Sequence, residues 1–194
     1  KSDSVFIEDE FLENISERFL FKKVANSITP SVVYIETVIP VDLPEDENHN
    51  FSEEFWNRFI PRNARSVGSG VIISQDGFIL TNHHVVEGAS EQGIEVVLND
   101  KRQFQARVIG SDPTTDLAVI KIPANNLPAA VMGNSDQVEV GEWVMAVGNP
   151  FRLRATVTAG IISALGRDVQ IIDDRMRIES FIQTDAAINK GNSG

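Results

Sequence analysis

From Val67 onward, short β-branched runs follow one another at close intervals, with turn residues between them. Gly68–Asn82 (GSGVIISQDGFILTN) reads as a strand, a turn at Asp76-Gly77 and a second strand, a tight hairpin. Gly93–Leu98, Gln103–Gly110, Leu117–Ile122, Trp143–Gly148, Thr156–Leu165, Gln170–Ile172 and Ile178–Gln183 are further strand candidates. Asn99-Asp100, Pro113, Pro123, Pro128 and Pro150 punctuate them. The spacing of these runs predicts an all-β sandwich or barrel.

The first third of the chain is less regular. Lys1–Lys23 carries Phe6, Ile7, Phe11, Leu12, Ile15, Phe19, Leu20 and Phe21 with acids between them. Several lie at helical spacing, which fits a helix or an irregular arm. Packing on its own domain and packing on another subunit both remain open. Val24–Pro30 predicts a short helix stopped by Pro30, and Ser31–Ile39 (SVVYIETVI) a strand. Residues 40–66 have no regular period. Asp42–Glu54 is acidic, with no Lys or Arg, and Phe51, Phe55, Trp56, Phe59 and Ile60 cluster around its end. A connection of this length between strands is functional or mobile, or a solvated insertion with a short helix.

Composition excludes several classes. The 194 residues fit one domain or two small lobes. Apolar residues make up 42%, enough for a core and too many for a wholly disordered chain. Acids outnumber bases 28 to 17, and the net charge of -11 disfavours nucleic acid as the main partner. No apolar run approaches the ~20 residues of a membrane-spanning helix. There is no cysteine, hence no disulfide, thiolate zinc site or thiol nucleophile.

Three segments carry reactive groups: Thr81-Asn82-His83-His84-Val85-Val86, Asp112-Pro113-Thr114-Thr115-Asp116-Leu117, and Asn189-Lys190-Gly191-Asn192-Ser193-Gly194. Together they offer an imidazole, a carboxylate and a hydroxyl. A serine hydroxyl is a poor nucleophile at neutral pH. An imidazole can take its proton during attack and return it to the leaving amine. A carboxylate fixes the imidazole tautomer and stabilises the imidazolium. Gly191 lets its own N–H and that of Ser193 converge on one point, as an oxyanion hole requires. Each segment alone is a weak signal, since most histidines are structural and Gly-Asn-Ser-Gly commonly makes a turn. The three together, on a β-rich background, point to acyl transfer. At this level either His83 or His84, and either Asp112 or Asp116, could serve.

The chain resembles the protease domain of the HtrA/Deg family of trypsin-like serine proteases. The runs that carry the resemblance are Gly68-Ser69-Gly70-Val71-Ile72-Ile73, residues 81–86, Asp116-Leu117-Ala118-Val119, Gly148-Asn149-Pro150-Phe151, residues 156–167, and Gln183-Thr184-Asp185-Ala186-Ala187-Ile188-Asn189 leading into Gly191-Asn192-Ser193-Gly194. They occur in family order over residues 24–194. The resemblance implies a double β-barrel with the triad in the cleft between lobes, the first lobe spanning about residues 24–125 and the second about 126–194, after an arm at 1–23. It assigns His84, Asp116 and Ser193 as catalytic, and leaves His83 as a surface or supporting residue and Asp185 as structural. It places Ala187, with Ile188 beside it, at the floor of the specificity pocket. An uncharged floor implies preference for small or medium aliphatic residues over Lys or Arg.

The resemblance also implies an endopeptidase acting on unfolded or misfolded proteins in the bacterial periplasm or cell envelope. It implies a homotrimer or larger assembly with N-terminal aromatics such as Phe19 and Phe21 at the contact, and PDZ domains after the protease domain. No cofactor and no metal is expected, because the histidines lack a plausible set of co-ligands. Lys190, Arg152 and Arg154 depart from the family pattern and make their loops more basic. A chain ending one residue past Ser193 and starting without Met suggests a truncated protease domain with an incomplete second barrel, inactive by itself. The alternative function is a non-catalytic, chaperone-like protein-binding module, for which the aromatic clusters would supply apolar surface.

Overall fold

The computed structural model describes residues 19–41, 63–90, 92–149, 155–167 and 181–188. Residues 19–28 are helical and turn through a 3₁₀ segment, Thr29–Ser31, into the first strand. Phe21, Ala25 and Ile28 form the less exposed side of the helix, at the i, i+4, i+7 spacing of one helical face. The helix therefore begins before Val24 and runs through the position expected to divide arm from domain. Pro30, which has no N–H to donate, sits in the 3₁₀ turn that ends it.

Six strands close into a barrel: β1 (Val32–Pro40), β2 (Asn63–Ile72), β3 (Phe78–Asn82), β4 (Ile94–Val97), β5 (Gln103–Asp112) and β6 (Leu117–Lys121), in the order β1-β2-β3-β6-β5-β4. Each pairing is antiparallel. The core follows from period-2 alternation of β-branched residues. Val33, Ile35, Ile72, Ile79, Ile94, Val96 and Ile120 belong to one buried cluster inside the barrel. Burying each contributes about 1.5–3 kcal/mol.

The structure lengthens β2 and β5 beyond the sequence expectation, β5 by running on to Asp112. Asn63–Ser66, which show no strand period, open β2 and pair with the end of β1 in the register Pro40↔Asn63 to Thr37↔Ser66. The partner strand organises this polar segment, and Arg65 Nη1 meets Glu36 Oε1 at 2.7 Å across the pair. The β2–β3 hairpin is closed by Ile73 N–H donating to the Phe78 carbonyl (2.9 Å) and Gly77 N–H to that of Ser74 (3.1 Å). Gly77 has φ +99°, and a Cβ there would lie 2.6 Å from the Ile122 carbonyl oxygen. Turn conformation and close packing both require glycine at this position.

A second, three-stranded sheet has the order β7-β8-β9, with β7 at Trp143–Gly148, β8 at Thr156–Arg167 and β9 at Phe181–Thr184. The β8–β9 register slips twice, between Ile162 and Ala164 and between Ala164 and Arg167. Of the expected strands, Gln170–Ile172 lies outside the described residues, and Ile178–Gln183 is represented by β9. The architecture is thus all-β: a closed six-stranded barrel and, where a second barrel is expected, an open sheet. The two are stitched by Ala130 N–H donating to the Ile72 carbonyl (2.8 Å), by a buried bond from Asn149 N–H to Ser69 Oγ (2.7 Å), and by contact of β1 with β7. The N-terminal helix joins them as well: the Phe21 ring meets that of Trp143 edge-on at 5.4 Å.

Candidate active site

Strand register brings the imidazole and carboxylate segments together. β3 and β6 pair with Asn82 opposite Leu117, so the residue that follows Asn82 lies beside the residue that precedes Leu117. After Asn82 the chain makes one helical turn, His83–Val86, whose Val85 and Val86 are buried in the barrel core and anchor it. Asp116 ends the turn between β5 and β6, one residue before Leu117.

His84 and Asp116 meet through two bonds. His84 Nδ1 lies 2.8 Å from Asp116 Oδ2, and the His84 N–H donates to Asp116 Oδ1 at 3.0 Å. The second bond is independent of the ring and keeps the carboxylate in place while the ring turns. With Nδ1–H held by a carboxylate, Nε2 is the nitrogen free to accept a proton. His84 is half exposed, so its ring is open to a reactant.

The backbone of Asp116 is held as firmly as its side chain. Its φ is +54°, in the left-handed region. A non-glycine residue pays about 1–2 kcal/mol there, and Asp is among the residues that tolerate it. Its carbonyl oxygen accepts from the His83 N–H (3.0 Å) and from Asn82 Nδ2 (3.0 Å). The remaining candidates are engaged elsewhere. Asp112 Oδ1 accepts from the Thr114 N–H (2.8 Å) and hydroxyl (2.6 Å), and its Oδ2 from the Thr115 hydroxyl (3.0 Å). The Thr114 hydroxyl bond, above all, holds the Asp112 carboxyl below its ordinary pKa. Asp112 thus ties the turn that presents Asp116. His83, expected as a surface or supporting residue, is largely covered: its side chain is only 19% exposed, Nε2 lies 3.8 Å from Glu87 Oε1, and buried Nδ1 has no partner among the described residues.

On the second sheet, Asp185 Oδ1 accepts from the Ile161 N–H at 2.7 Å, and Ala186 N–H donates to Thr184 Oγ1 at 3.0 Å. Gly160 leaves the room this needs, since a Cβ there would collide with Asp185 and the Ala186 backbone. Ala187, expected at the pocket floor, is exposed, and its carbonyl accepts from Thr158 Oγ1 at 2.9 Å. Ile188 is 61% exposed. Gly191 and Ser193 lie outside the described residues, as do Lys190, Arg152 and Arg154. Among the described residues, no three His, Cys, Asp or Glu side chains cluster in a way that could hold a metal ion.

Three supporting residues escape a reading for reactive groups. Asn82 binds the Asp116 carbonyl. Ser69 is almost fully buried: its Oγ accepts from Asn149 N–H of the second lobe, and its carbonyl accepts from Thr81 Oγ1 at 2.7 Å. Thr158 holds the Ala187 carbonyl. The available signal was a hydroxyl flanked by two glycines in Gly68-Ser69-Gly70, where a polar side chain interrupts a buried strand.

Comparison with known proteins adds a lineage to this geometry. The sequence model of the trypsin-like peptidase domain matches residues 68–194. A Chlamydia muridarum protein named "Probable periplasmic serine endoprotease DegP-like" is 45% identical over 218 residues, covering 100% of this chain and 42% of that protein. A protein of the same name from Hahella chejuensis is 44% identical over 189 residues, covering 90% of this chain and 39% of its own length. Among solved structures, "HtrA-type protease AlgW with tripeptide" superposes with a TM-score of 0.71 at 41% identity, covering 90% of this chain and 48% of that one. "HtrA-type protease AlgW with decapeptide" gives 0.68 at 41%, covering 90% and 54%. The chain spans less than half the length of these two curated relatives.

Proposed function

Because the chain belongs to the HtrA/Deg family of trypsin-like serine proteases, we propose that it carries the catalytic residues of a serine endopeptidase. The observation that carries this reading is the doubly bonded His84–Asp116 pair, with Nδ1 held by the carboxylate. Ser193 is the nucleophile in this proposal. His84 Nε2 takes the Ser193 hydroxyl proton as the oxygen attacks the peptide carbonyl, and returns it to the leaving amine. Asp116 remains ionised and stabilises the imidazolium between those steps. The N–H groups of Gly191 and Ser193 stabilise the tetrahedral oxyanion. Water, activated by His84, then releases the acyl group from Ser193.

Ala187 and Ile188 form the floor and side of the specificity pocket in this reading. An uncharged floor leaves a buried Lys or Arg without a counter-charge, which is costly. Peptides with Val, Ala or Ile before the scissile bond are therefore preferred. The names of the relatives support a periplasmic location, and the peptide-bound AlgW structures support a polypeptide substrate. The natural substrates we assign are unfolded or misfolded proteins of the cell envelope. A homotrimer or larger assembly belongs to the same reading, favoured by apolar surface at Phe19 (48% exposed), Leu20 (57%) and Trp143 (72%).

The test is digestion of an unfolded protein by the full-length protein and its Ser193→Ala variant, with the cleavage sites mapped. Cleavage after small aliphatic residues, abolished by the substitution, is expected. Undiminished cleavage by Ser193→Ala, or a map dominated by Lys and Arg, refutes the reading.

A further inference from the structure

Asparagine at the residue before a helical turn ordinarily caps it, its side-chain oxygen accepting one of the free N–H groups of the first turn. Asn82 occupies that position before His83–Val86 and makes no such bond. Its side chain reaches instead across to β6, where Nδ2 donates to the carbonyl oxygen of Asp116 at 3.0 Å. The N–H it would have capped, that of His84, is taken by the Asp116 carboxylate at 3.0 Å. The capping partners are thus exchanged. Asp116 caps the turn that carries His84, and Asn82 holds the backbone of Asp116.

The exchange matters because of the conformation at Asp116. Its φ of +54° is one that a non-glycine residue leaves readily unless something holds it. Two donors converge on its carbonyl oxygen, the Asn82 amide and the His83 N–H. Rotation of the backbone there would carry the carboxylate away from His84 Nδ1, since carboxylate and carbonyl belong to one residue. The His83 N–H moves with the turn it belongs to. The Asn82 side chain is half-buried and fixed to the end of β3, whose Asn82↔Leu117 pairing sets the distance. Among the described residues, it is the one side chain that bonds the Asp116 carbonyl.

We propose that Asn82 is a positioning residue for the His84–Asp116 pair: its amide locks the left-handed backbone of Asp116, and through it the orientation and tautomer of the His84 ring. This deepens the endopeptidase reading and rests on it. Among the described residues its side chain bonds to the Asp116 backbone, so in this proposal it acts through Asp116.

Two variants separate positioning from folding. Asn82→Ser provides an equally good local cap but is too short to reach the Asp116 carbonyl. Asn82→Asp keeps the shape and turns an oxygen toward that carbonyl oxygen. Both are made in the full-length protein. Peptidase kinetics, the melting temperature and the ¹⁵N shifts of histidine-labelled protein are measured, with His84 assigned by comparison with His84→Ala.

The expected result for Asn82→Ser is a kcat at least tenfold lower, with KM within twofold and the melting temperature little changed. The His84 ¹⁵N shifts should move from a fixed Nδ1–H form toward a mixture of tautomers. Asn82→Asp should lose more than Asn82→Ser, because repulsion replaces the bond. Retention of kcat within twofold and unchanged ¹⁵N shifts in Asn82→Ser would overturn the proposal. So would an Asn82→Asp variant as active as the parent, or unfolding of both variants, which would make Asn82 a folding residue. Absence of peptidase activity in the parent refutes the endopeptidase reading instead, and the ¹⁵N shifts still decide what Asn82 does.

Discussion

The barrel and the open sheet are built from the same β-branched vocabulary and end in different states. Inside the barrel, Ile35, Ile72, Ile79 and Ile120 are fully buried, and every strand is paired on both sides. Among the described residues of the sheet, only β8 is flanked twice. Trp143 on β7 and Phe181 on β9 are 72% and 48% exposed, and all four side chains of β9 retain some exposure. The difference divides the candidate site. His84 and Asp116 stand on a finished scaffold, with four bonds converging on Asp116 from residues 82–84. On the second sheet, Asp185 and Ala187 are bonded to β8 at Ile161 and Thr158. His84 and Asp116 are preorganised by barrel closure, whereas residues 185–187 are tied to β8 by side-chain-to-backbone bonds.

The largest effect asks whether chemistry needs both regions equally. Replacing either member of a nucleophile–base unit costs about 10⁶-fold in kcat. His84→Ala on the barrel and Ser193→Ala beyond the sheet should each reach that scale, and the double variant should be hardly worse. His83→Ala should cost less than tenfold. Steady-state peptidase assays check this, and a crippled His83→Ala would reverse the assignment of the two histidines.

Stability should divide along the same line. Ile35→Ala or Ile120→Ala empties a buried site in the closed core and should cost about 2–5 kcal/mol. Val157→Ala, at a β8 position 36% exposed, should cost less than about 1 kcal/mol. Urea unfolding measures both. Equal losses would mean the sheet is as consolidated as the barrel.

Ser69→Ala tests the joint between the two regions. It strips the acceptor from the buried Asn149 N–H, and an orphaned buried donor costs about 1–3 kcal/mol. Cooperative unfolding should weaken accordingly. A neutral Ser69→Ala would show that the lobes do not depend on this bond.

What the sequence made legible follows from which interactions are local. The run Ser31–Ile39 announces β1 because β-branched alternation is a property of the strand itself. Asn63–Ser66 announces nothing, because its strand conformation comes from pairing with β1. The helix at residues 19–28 starts earlier than its Pro30 stop alone could show. At the site, imidazole and carboxylate were legible as residue types, but the residues cannot by themselves choose between Asp112 and Asp116. Asp112 is consumed by Thr114 and Thr115, two and three residues on, while the β3–β6 register gives Asp116 to His84. Asn82 was not legible at all, since its partner is a carbonyl in a left-handed conformation that only the folded barrel creates. Ser69 was hidden for the same reason: its partner is 80 residues away.

The smallest effect concerns acid, and it locates where the barrel itself is softest. The Asp112 carboxyl is held below its ordinary pKa of 3.8, chiefly by the Thr114 hydroxyl and then by the Thr114 N–H. Asp76 is held below the same value, chiefly by the Ser74 hydroxyl and then by Lys121. A depressed folded-state pKa means that the unfolded chain takes up a proton first as pH falls. The stabilising contribution of each carboxylate is therefore complete above 3.8 and is lost as pH drops from there through the lower folded-state value. Both groups are exposed, so solvent screens them and the effect on global stability is slight. It should instead be local. The Thr114 N–H donates to Asp112 Oδ1, so its hydrogen-exchange protection factor should fall as pH drops below 3.8, while that of the Ile120 N–H stays constant. Asp112→Asn retains an acceptor oxygen that does not titrate, and its Thr114 protection should be independent of pH. If Thr114 protection in the parent is equally flat, the Asp112 turn does not rely on its charge, and the β5–β6 turn that presents Asp116 is as rigid as the strands it joins.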